Sequence, residues 1–142
     1  MRLTKSDTVV FSSPTPGLRY KKRPAAYVVI INRGGMVAAV KGTRGYFLPG
    51  GGSLPGESPE NTVSREVREE LARGVRIICK LGEAVQYFSA DAQHFQMHAI
   101  FFTAEFSGEP SGRGECELEW LQMVEAKEVL FHQCHVWAIC QA

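Results

Sequence analysis

The sequence predicts a single α/β domain. Its 142 residues, 44% hydrophobic and 22% charged, suffice for one domain with a real core and show an ordinary globular balance. Runs of β-branched and apolar residues recur between turn signals through most of the chain. Among them lies one well-delimited helical stretch, at 59–73, and a second helical pattern closes the chain.

Residues 1–24 read as an N-terminal extension and 25–142 as the domain proper. Within the extension, Val9-Val10-Phe11 has the composition of a short strand, and 12–17 is a turn-rich link with two prolines. Residues 26–32 form a β-branched run, expected as a buried central strand. Arg33-Gly34-Gly35 is a turn signal, and 36–41 is expected to return as the hairpin partner. Residues 42–58 are then a long glycine-rich loop, of a length that is more often functional than not. Ser58 suits an N-cap, Pro59 the first helical position, and Gly74 the helix exit. Two strands follow, at 75–88 (bent or broken) and 97–106. A Gly/Pro/Ser loop spans 107–114, and a last strand spans 117–123. Residues 125–139 have helical spacing, with Val129, Leu130, Val136 and Trp137 as core contacts.

Bulk properties exclude several classes. The net charge of +1 gives no global argument for nucleic acid or membrane. The basic run Arg19, Lys21, Lys22, Arg23 reads as a solvated tether, so nucleic acid is not an expected partner. The longest apolar run, 25–31, is too short for a bilayer, and Met1-Arg2-Leu3-Thr4-Lys5 leads into no apolar signal region. A cytoplasmic protein is expected. Cys79, Cys116, Cys134 and Cys140 form no C-x-x-C pair and read as reduced thiols. A homodimer stays open, through exchange of the N-terminal extension.

The chemistry concentrates where the glycine-rich loop meets the helix. Glu66, Glu69 and Glu70 fall within about 100° of one another on the helix surface, and Glu66 and Glu70 are about 6 Å apart along the axis. Val63, Val67 and Leu71 form an adjacent apolar stripe. One face can therefore pack on a sheet while its edge presents carboxylates to a cleft. Clustered carboxylates repel unless something positive sits among them. An all-oxygen ligand set points to Mg2+ or Mn2+ rather than zinc. The plainer reading of such a run is a solvated helix face.

The loop decides between them. Gly51, five residues, Glu57, seven residues, then Arg65-Glu66-Val67-Arg68-Glu69-Glu70 resembles the Nudix box of the MutT-like Nudix hydrolases, G-x5-E-x7-R-E-U-x-E-E-x-G-U with U bulky and apolar. Leu48-Pro49-Gly50-Gly51 is similar to the usual lead-in. Ala72 and Arg73 depart from the pattern, which has Gly and an apolar residue there. The resemblance implies a single-domain α/β/α sandwich with a mixed sheet, and makes 25–142 a Nudix hydrolase domain. It implies metal contacts from Glu66, Glu69, Glu70 and the Gly50 carbonyl, with Glu66 a base in some members. It gives Gly51, Glu57 and Arg65 structural roles, the last two as an ion pair that orients the loop. A further catalytic glutamate from a later loop falls on Glu115 in preference to Glu117.

The implied activity is metal-dependent hydrolysis of the pyrophosphate bond in a nucleoside diphosphate linked to another moiety. Nucleoside triphosphates come first, then dinucleotides and nucleotide sugars. The alternative is a non-catalytic nucleotide-sensing or interaction module, against which the full set of box carboxylates counts. A decapping-like RNA hydrolase would use the same chemistry. Substrate contacts are expected from Lys41 and Arg44, which flank the loop entrance, and from Tyr46 and Tyr87, with Phe47 and Phe88 as further stacking candidates. His132, Cys134, His135 and Cys140 invite a zinc reading, but on one helix Cys134 points away from the two histidines. No G-K-[ST] follows the glycines, so this is not a P-loop.

Overall fold

A computed structural model describes residues 8–142. The expected absence of a signal region concerns Met1 to Lys5 and lies outside the described residues. In chain order the elements are β1 (Val9–Phe11), β2 (Lys21–Val29), β3 (Val37–Gly42), β4 (Gly45–Phe47), β5 (Gly50–Gly52), α1 (Pro59–Leu71), β6 (Gly74–Ala90), β7 (Gln93–Ser107), β8 (Leu118–Leu121), α2 (Met123–Val129) and α3 (Gln133–Gln141). Among the described residues, no helix is long and apolar enough to cross a membrane.

The strands form a mixed five-stranded sheet, β1-β6-β7-β2-β5, and a three-stranded sheet, β4-β3-β8. Side chains from their two faces build two cores. Ala26 and Val28 of β2, with Ile30 just beyond it, meet Val63 and Val67 of α1 on one side. Ala25, Tyr27 and Val29 meet Ala138 and Ile139 of α3 on the other. Because successive strand residues point to opposite faces, the continuous apolar run of β2 is what burial on both faces requires.

The sequence reading of the central strand and its turn is met in part. Asn32 closes the turn, its backbone N–H donating to Met36 O at 3.0 Å and its Oδ1 accepting from Met36 N at 2.9 Å. The expected hairpin does not continue. Beyond the Ile31–Val37 bridge and an Ala38 N–H to Ile30 O bond, β3 leaves for β4 and β8. The reason is that β2 gives one edge to β7 and the other to β5. The glycine-rich stretch is likewise not one long loop. It holds β4 and β5, and three consecutive glycines pair antiparallel with Ala25–Tyr27. The N-terminal stretch is also tied in: β1 runs parallel to β6, and β2 starts at Lys21.

Helix α1 follows its signals at the start. Ser58 accepts a hydrogen bond from Asn61 N at 3.1 Å, and Pro59 opens the helix. Its end differs from expectation. The left-handed cap falls on Ala72, with φ 54° and ψ 35°, while Gly74 begins β6. Arg73, the other departure from the box, lays its guanidinium 4.0 Å from the Phe106 ring centroid and donates to Gly108 O at 3.2 Å. An L-residue in the left-handed region costs about 1–2 kcal/mol, part of which glycine would return as unfolded-state entropy. Ala72→Gly is therefore expected to stabilise the protein by about 0.5–1 kcal/mol, read as a raised urea midpoint at unchanged slope.

The closing helix is two helices. Leu130 is extended (φ −65°, ψ 127°) and buried, and its neighbour Phe131 donates its N–H to Tyr46 O at 2.8 Å. Pairing with β4 breaks the helical pattern there. Leu130 is a core residue as expected, and Val129, Val136 and Trp137 pack on that core. Strand β6 carries two register irregularities, at Ile77/Cys79 and Lys80/Gly82, in keeping with the bend expected of it.

Candidate active site

The box residues assemble at the junction of β5 and α1. Glu57 is the hub of the connecting loop. It accepts from Leu54 N at 3.0 Å, from Thr62 Oγ1 at 2.8 Å and from Arg65 Nε and Nη2 at 2.8 and 3.0 Å. These bonds, led by Arg65, hold its carboxyl down at about 2. Arg65 also donates to Gly52 O at 2.9 Å, to Glu66 at 2.8 Å and, less closely, to Glu69 at 3.4 Å. One guanidinium thus ties β5, the loop and the carboxylate helix together.

Glu66 and Glu70 reach the same cleft. Glu70 Oε1 accepts the Gly50 backbone N–H at 3.0 Å. Gly51 lies so close to Glu66 that a Cβ there would sit 2.7 Å from its Cδ. The side chain of Glu69 is 45% exposed against 19% for Glu66. Burial pushes the Glu70 carboxyl up to about 8, and the charges of Glu66, Glu115 and Glu69 push the same way against the Gly50 bond. Glu66 is raised too, chiefly by burial, with Arg65 opposing. Arg65 bonds Glu66 and is itself engaged by Glu57, whereas Glu70 has no bonded cation among the described residues.

A bound cation would supply the positive charge that Glu70 lacks. Among the described residues no three His, Cys, Asp or Glu side chains come together as a ready metal cage. What is present is two carboxylates, each with one oxygen engaged (by Arg65 and by Gly50 N–H), beside the backbone of Gly50. The donors are all oxygen, and their unbalanced charge is what a hard divalent cation relieves.

The cleft has a volume of about 360 Å3. Glu66 and Glu70 share it with Lys41, Arg44 and Arg23. Arg44 meets Asp91 at 2.7 Å, joining the β3–β4 turn to the β6–β7 turn. Phe47, Phe88, Phe95, Phe131 and His132 supply aromatic surface, with Phe88 and Phe95 stacked at 5.1 Å and Phe88 edge-on to His132 at 4.7 Å. Burial lowers the His132 imidazole to about 4, with Arg23 adding to the effect, so it is neutral at physiological pH.

Of the residues expected at the site, Glu66, Glu70, Gly50, Gly51, Lys41 and Arg44 line the cleft. Glu57 and Arg65 stand behind them as the expected ion pair. Tyr46 lies outside the lining, with Lys41 Nζ 5.9 Å from its ring centroid. Tyr87 also lies outside it, packed edge-on against Tyr20 and accepting from Gln96. Glu115 is exposed beyond the helix end, and Cys116 beside it reaches the cleft. Both are placed by backbone bonds that cap α1: Ser111 N–H to Ala72 O, Glu115 N–H to Glu69 O, and Cys116 N–H to Glu70 O, at 2.8–2.9 Å. Gly114 fits only without a side chain, since a Cβ would collide with the Glu70 carbonyl. Sequence reasoning missed Arg23, whose signal was its register with the cleft-facing Tyr27 along β2, and Phe95, Phe131 and the cleft role of His132, which had none. Of the four residues that invite a zinc reading, His132 and His135 meet edge-on at 5.0 Å, and His135 Nδ1 accepts Leu48 N–H at 3.2 Å.

Comparison with known proteins bears on the family and the fold. The NUDIX domain family matches residues 21–137. An RNA pyrophosphohydrolase of Photorhabdus laumondii is 39% identical over 70 residues, which are 46% of this chain and 40% of that protein. The match thus spans well under two thirds of that relative's length. A MutT NUDIX hydrolase from Burkholderia pseudomallei superposes with a TM-score of 0.70 at 26% identity, covering 86% of this chain and 98% of the other. A NUDIX hydrolase from Nitrosomonas europaea superposes with a TM-score of 0.71 at 18% identity, covering 85% and 88%.

Proposed function

The chain belongs to the NUDIX family, and from that premise we propose that it hydrolyses the pyrophosphate bond of a nucleoside diphosphate linked to another moiety. The observation that carries this reading is the convergence of two partly buried carboxylates, Glu66 and Glu70, on a cleft whose walls hold Lys41, Arg44 and Arg23. Carboxylates and cations in one small cleft serve a substrate that is itself anionic and bridged by metal.

Glu66, Glu69, Glu70 and the Gly50 carbonyl would hold divalent cations, magnesium or manganese. Bound there, such a cation supplies charge neutralisation for the diphosphate and a more acidic water. The chain's own residues do the rest. Lys41 and Arg44 bind phosphate oxygens from the far wall, and Arg23 does so from the sheet edge. Glu66 keeps one carboxylate oxygen clear of Arg65 and takes the proton from the attacking water. Arg65 and Glu57 keep that carboxylate in place and are positioning residues. Glu115, outside the cleft, enters only if its loop moves with substrate bound. The phenylalanines and neutral His132 offer a base-stacking wall, in place of Tyr46 and Tyr87.

The leaving group is less constrained. Nucleoside triphosphates, dinucleotides and nucleotide sugars all present the same diphosphate. The Photorhabdus relative, named for RNA, adds a phosphorylated RNA end to that group. The four unpaired thiols accord with work in the cytoplasm.

A phosphate-release screen across these substrates, with magnesium, with manganese and with chelator, tests the reading. Turnover is expected only with metal, and Glu66→Gln is expected to lower kcat by about a hundredfold or more at intact stability. Equal turnover by wild type and Glu66→Gln, or turnover that survives chelation, would sink it.

A further inference from the structure

We infer that a second groove, running off the catalytic cleft around the edge of β2, binds the phosphodiester chain of the substrate, so that the preferred substrate is the 5′-phosphorylated end of a single-stranded oligonucleotide rather than a free nucleotide. The inference rests on the pyrophosphohydrolase reading above and deepens it.

The groove has a volume of about 710 Å3 and shares Arg23, Gly52 and Phe95 with the catalytic cleft. It exists because β5 is too short. β5 pairs with β2 only at Ala25–Tyr27, while the four residues before Ala25, Lys21 to Pro24, are exposed. The following loop crosses back with Ser53 N–H bonded to Pro24 O at 2.9 Å. It then holds Leu54, 54% exposed, with Pro55 and Pro59, as an apolar wall opposite the strand. An open strand edge facing an apolar loop makes a channel rather than a pit.

The charge of that channel is one-sided. Register with β7 puts Lys21 opposite Phe95 and Arg23 opposite Met97 on one face, and Lys22 opposite Gln96 on the other. Three successive cations therefore surround the edge. None of them is paired with a carboxylate among the described residues, whereas Arg44, Arg65, Arg76 and Lys80 all are. The one carboxylate lining the groove, Glu57, is already neutralised by Arg65. Unpaired like charges this close repel one another, and a polyanion relieves that.

The apolar components suit the same ligand. Arg23 sits 5.9 Å from the centroid of Phe95, a ring that faces both clefts. A cationic edge with aromatic and apolar surface beside it is the arrangement that holds single strands, phosphates on the cations and bases on the flat side chains. A free triphosphate fills the first cleft and leaves the second unused. A chain continuing from the sugar next to the diphosphate would pass Arg23 into it.

The test uses the full chain and the variant Lys21→Glu/Lys22→Glu, whose side chains lie outside the catalytic cleft. Turnover of a free nucleoside triphosphate is compared with that of a 5′-triphosphorylated trinucleotide. Binding of a 3′-labelled, 5′-triphosphorylated hexanucleotide is followed by anisotropy in chelator. Wild type is expected to favour the trinucleotide by about tenfold in kcat/KM, and the variant to lose that preference through KM while free-nucleotide turnover stays within about twofold. Hexanucleotide binding is expected to weaken by about tenfold or more, with the salt slope shallower by about 0.7 for each phosphate no longer neutralised. Lys21→Gln/Lys22→Gln should fall between. Equal wild-type efficiency on the two substrates, or a charge reversal that lowers both alike, overturns the inference. If neither substrate is cleaved but the hexanucleotide binds with the same lysine dependence, the enzymatic reading falls and the groove stands.

Discussion

Glu70→Gln is expected to make the metal-free protein more stable at alkaline pH while removing its turnover. Burial and three neighbouring carboxylates raise the Glu70 carboxyl from 4.5 to about 8 in the folded chain. Between those values the folded state binds a proton that the unfolded state has released, so stability falls as pH rises through this window. Below it the penalty is absent, and above it the penalty is complete, on the order of a few kcal/mol. Glutamine cannot ionise, and its carbonyl can still accept the Gly50 N–H. In chelator, the melting temperature of wild type should drop between pH 5 and 9, and Glu70→Gln should lack that part of the drop, ending about 5–10 °C higher at pH 9. With metal restored, its kcat should be lower by about a thousandfold. A variant as pH-sensitive as wild type would show that Glu70 is not held against its own charge.

The second large effect comes from two adjacent glycines that do different work. Gly50 has φ 138°, and a Cβ on it would run into the carbonyl oxygen of Ala26 and the Cα of Tyr27. Those atoms belong to the buried centre of β2 and have nowhere to go. Gly50→Ala is expected to cost about 3 kcal/mol or more, seen as loss of a cooperative urea transition or of soluble protein. Gly51 has an ordinary φ, and the three atoms nearest to a Cβ there all belong to the Glu66 carboxylate, at 2.7–3.1 Å. A side-chain end can swing away. Gly51→Ala should therefore keep its stability within about 1 kcal/mol and lose turnover by about a hundredfold, because Glu66 leaves the cleft. Similar stability losses in both variants would contradict this division of labour.

The sequence made the helix and its carboxylates legible because both are local. Ser58, Pro59 and the Val63–Val67–Leu71 stripe act within one helix, and Glu57 meets Arg65 only eight residues on. The errors lie where non-local pairing overrides local pattern. Residues 36–41 follow a good turn, yet β3 belongs to the other sheet because both edges of β2 are taken. The 125–139 pattern is helical throughout, yet Leu130 and Phe131 are drawn to the backbone of Tyr46. The aromatic wall was hidden for the same reason. Phe95 and Phe131 come to Glu70 from strands and turns far along the chain, and no spacing announces that.

The clip that runs from Ser111 to Cys116 over the end of α1 has a consequence for how the site opens. Its amides satisfy carbonyls of Glu69, Glu70 and Ala72 that the helix itself leaves unpaired. The terminal turn of α1 therefore cannot fray alone, because each carbonyl it exposes also frees an amide about forty residues later in the chain. Amide protons of Glu115 and Cys116 are therefore expected to show the same protection against hydrogen exchange as that turn, the two segments opening as one cooperative unit. The carboxylates proposed to act on the substrate are thus set on a stitched seam rather than a free helix end.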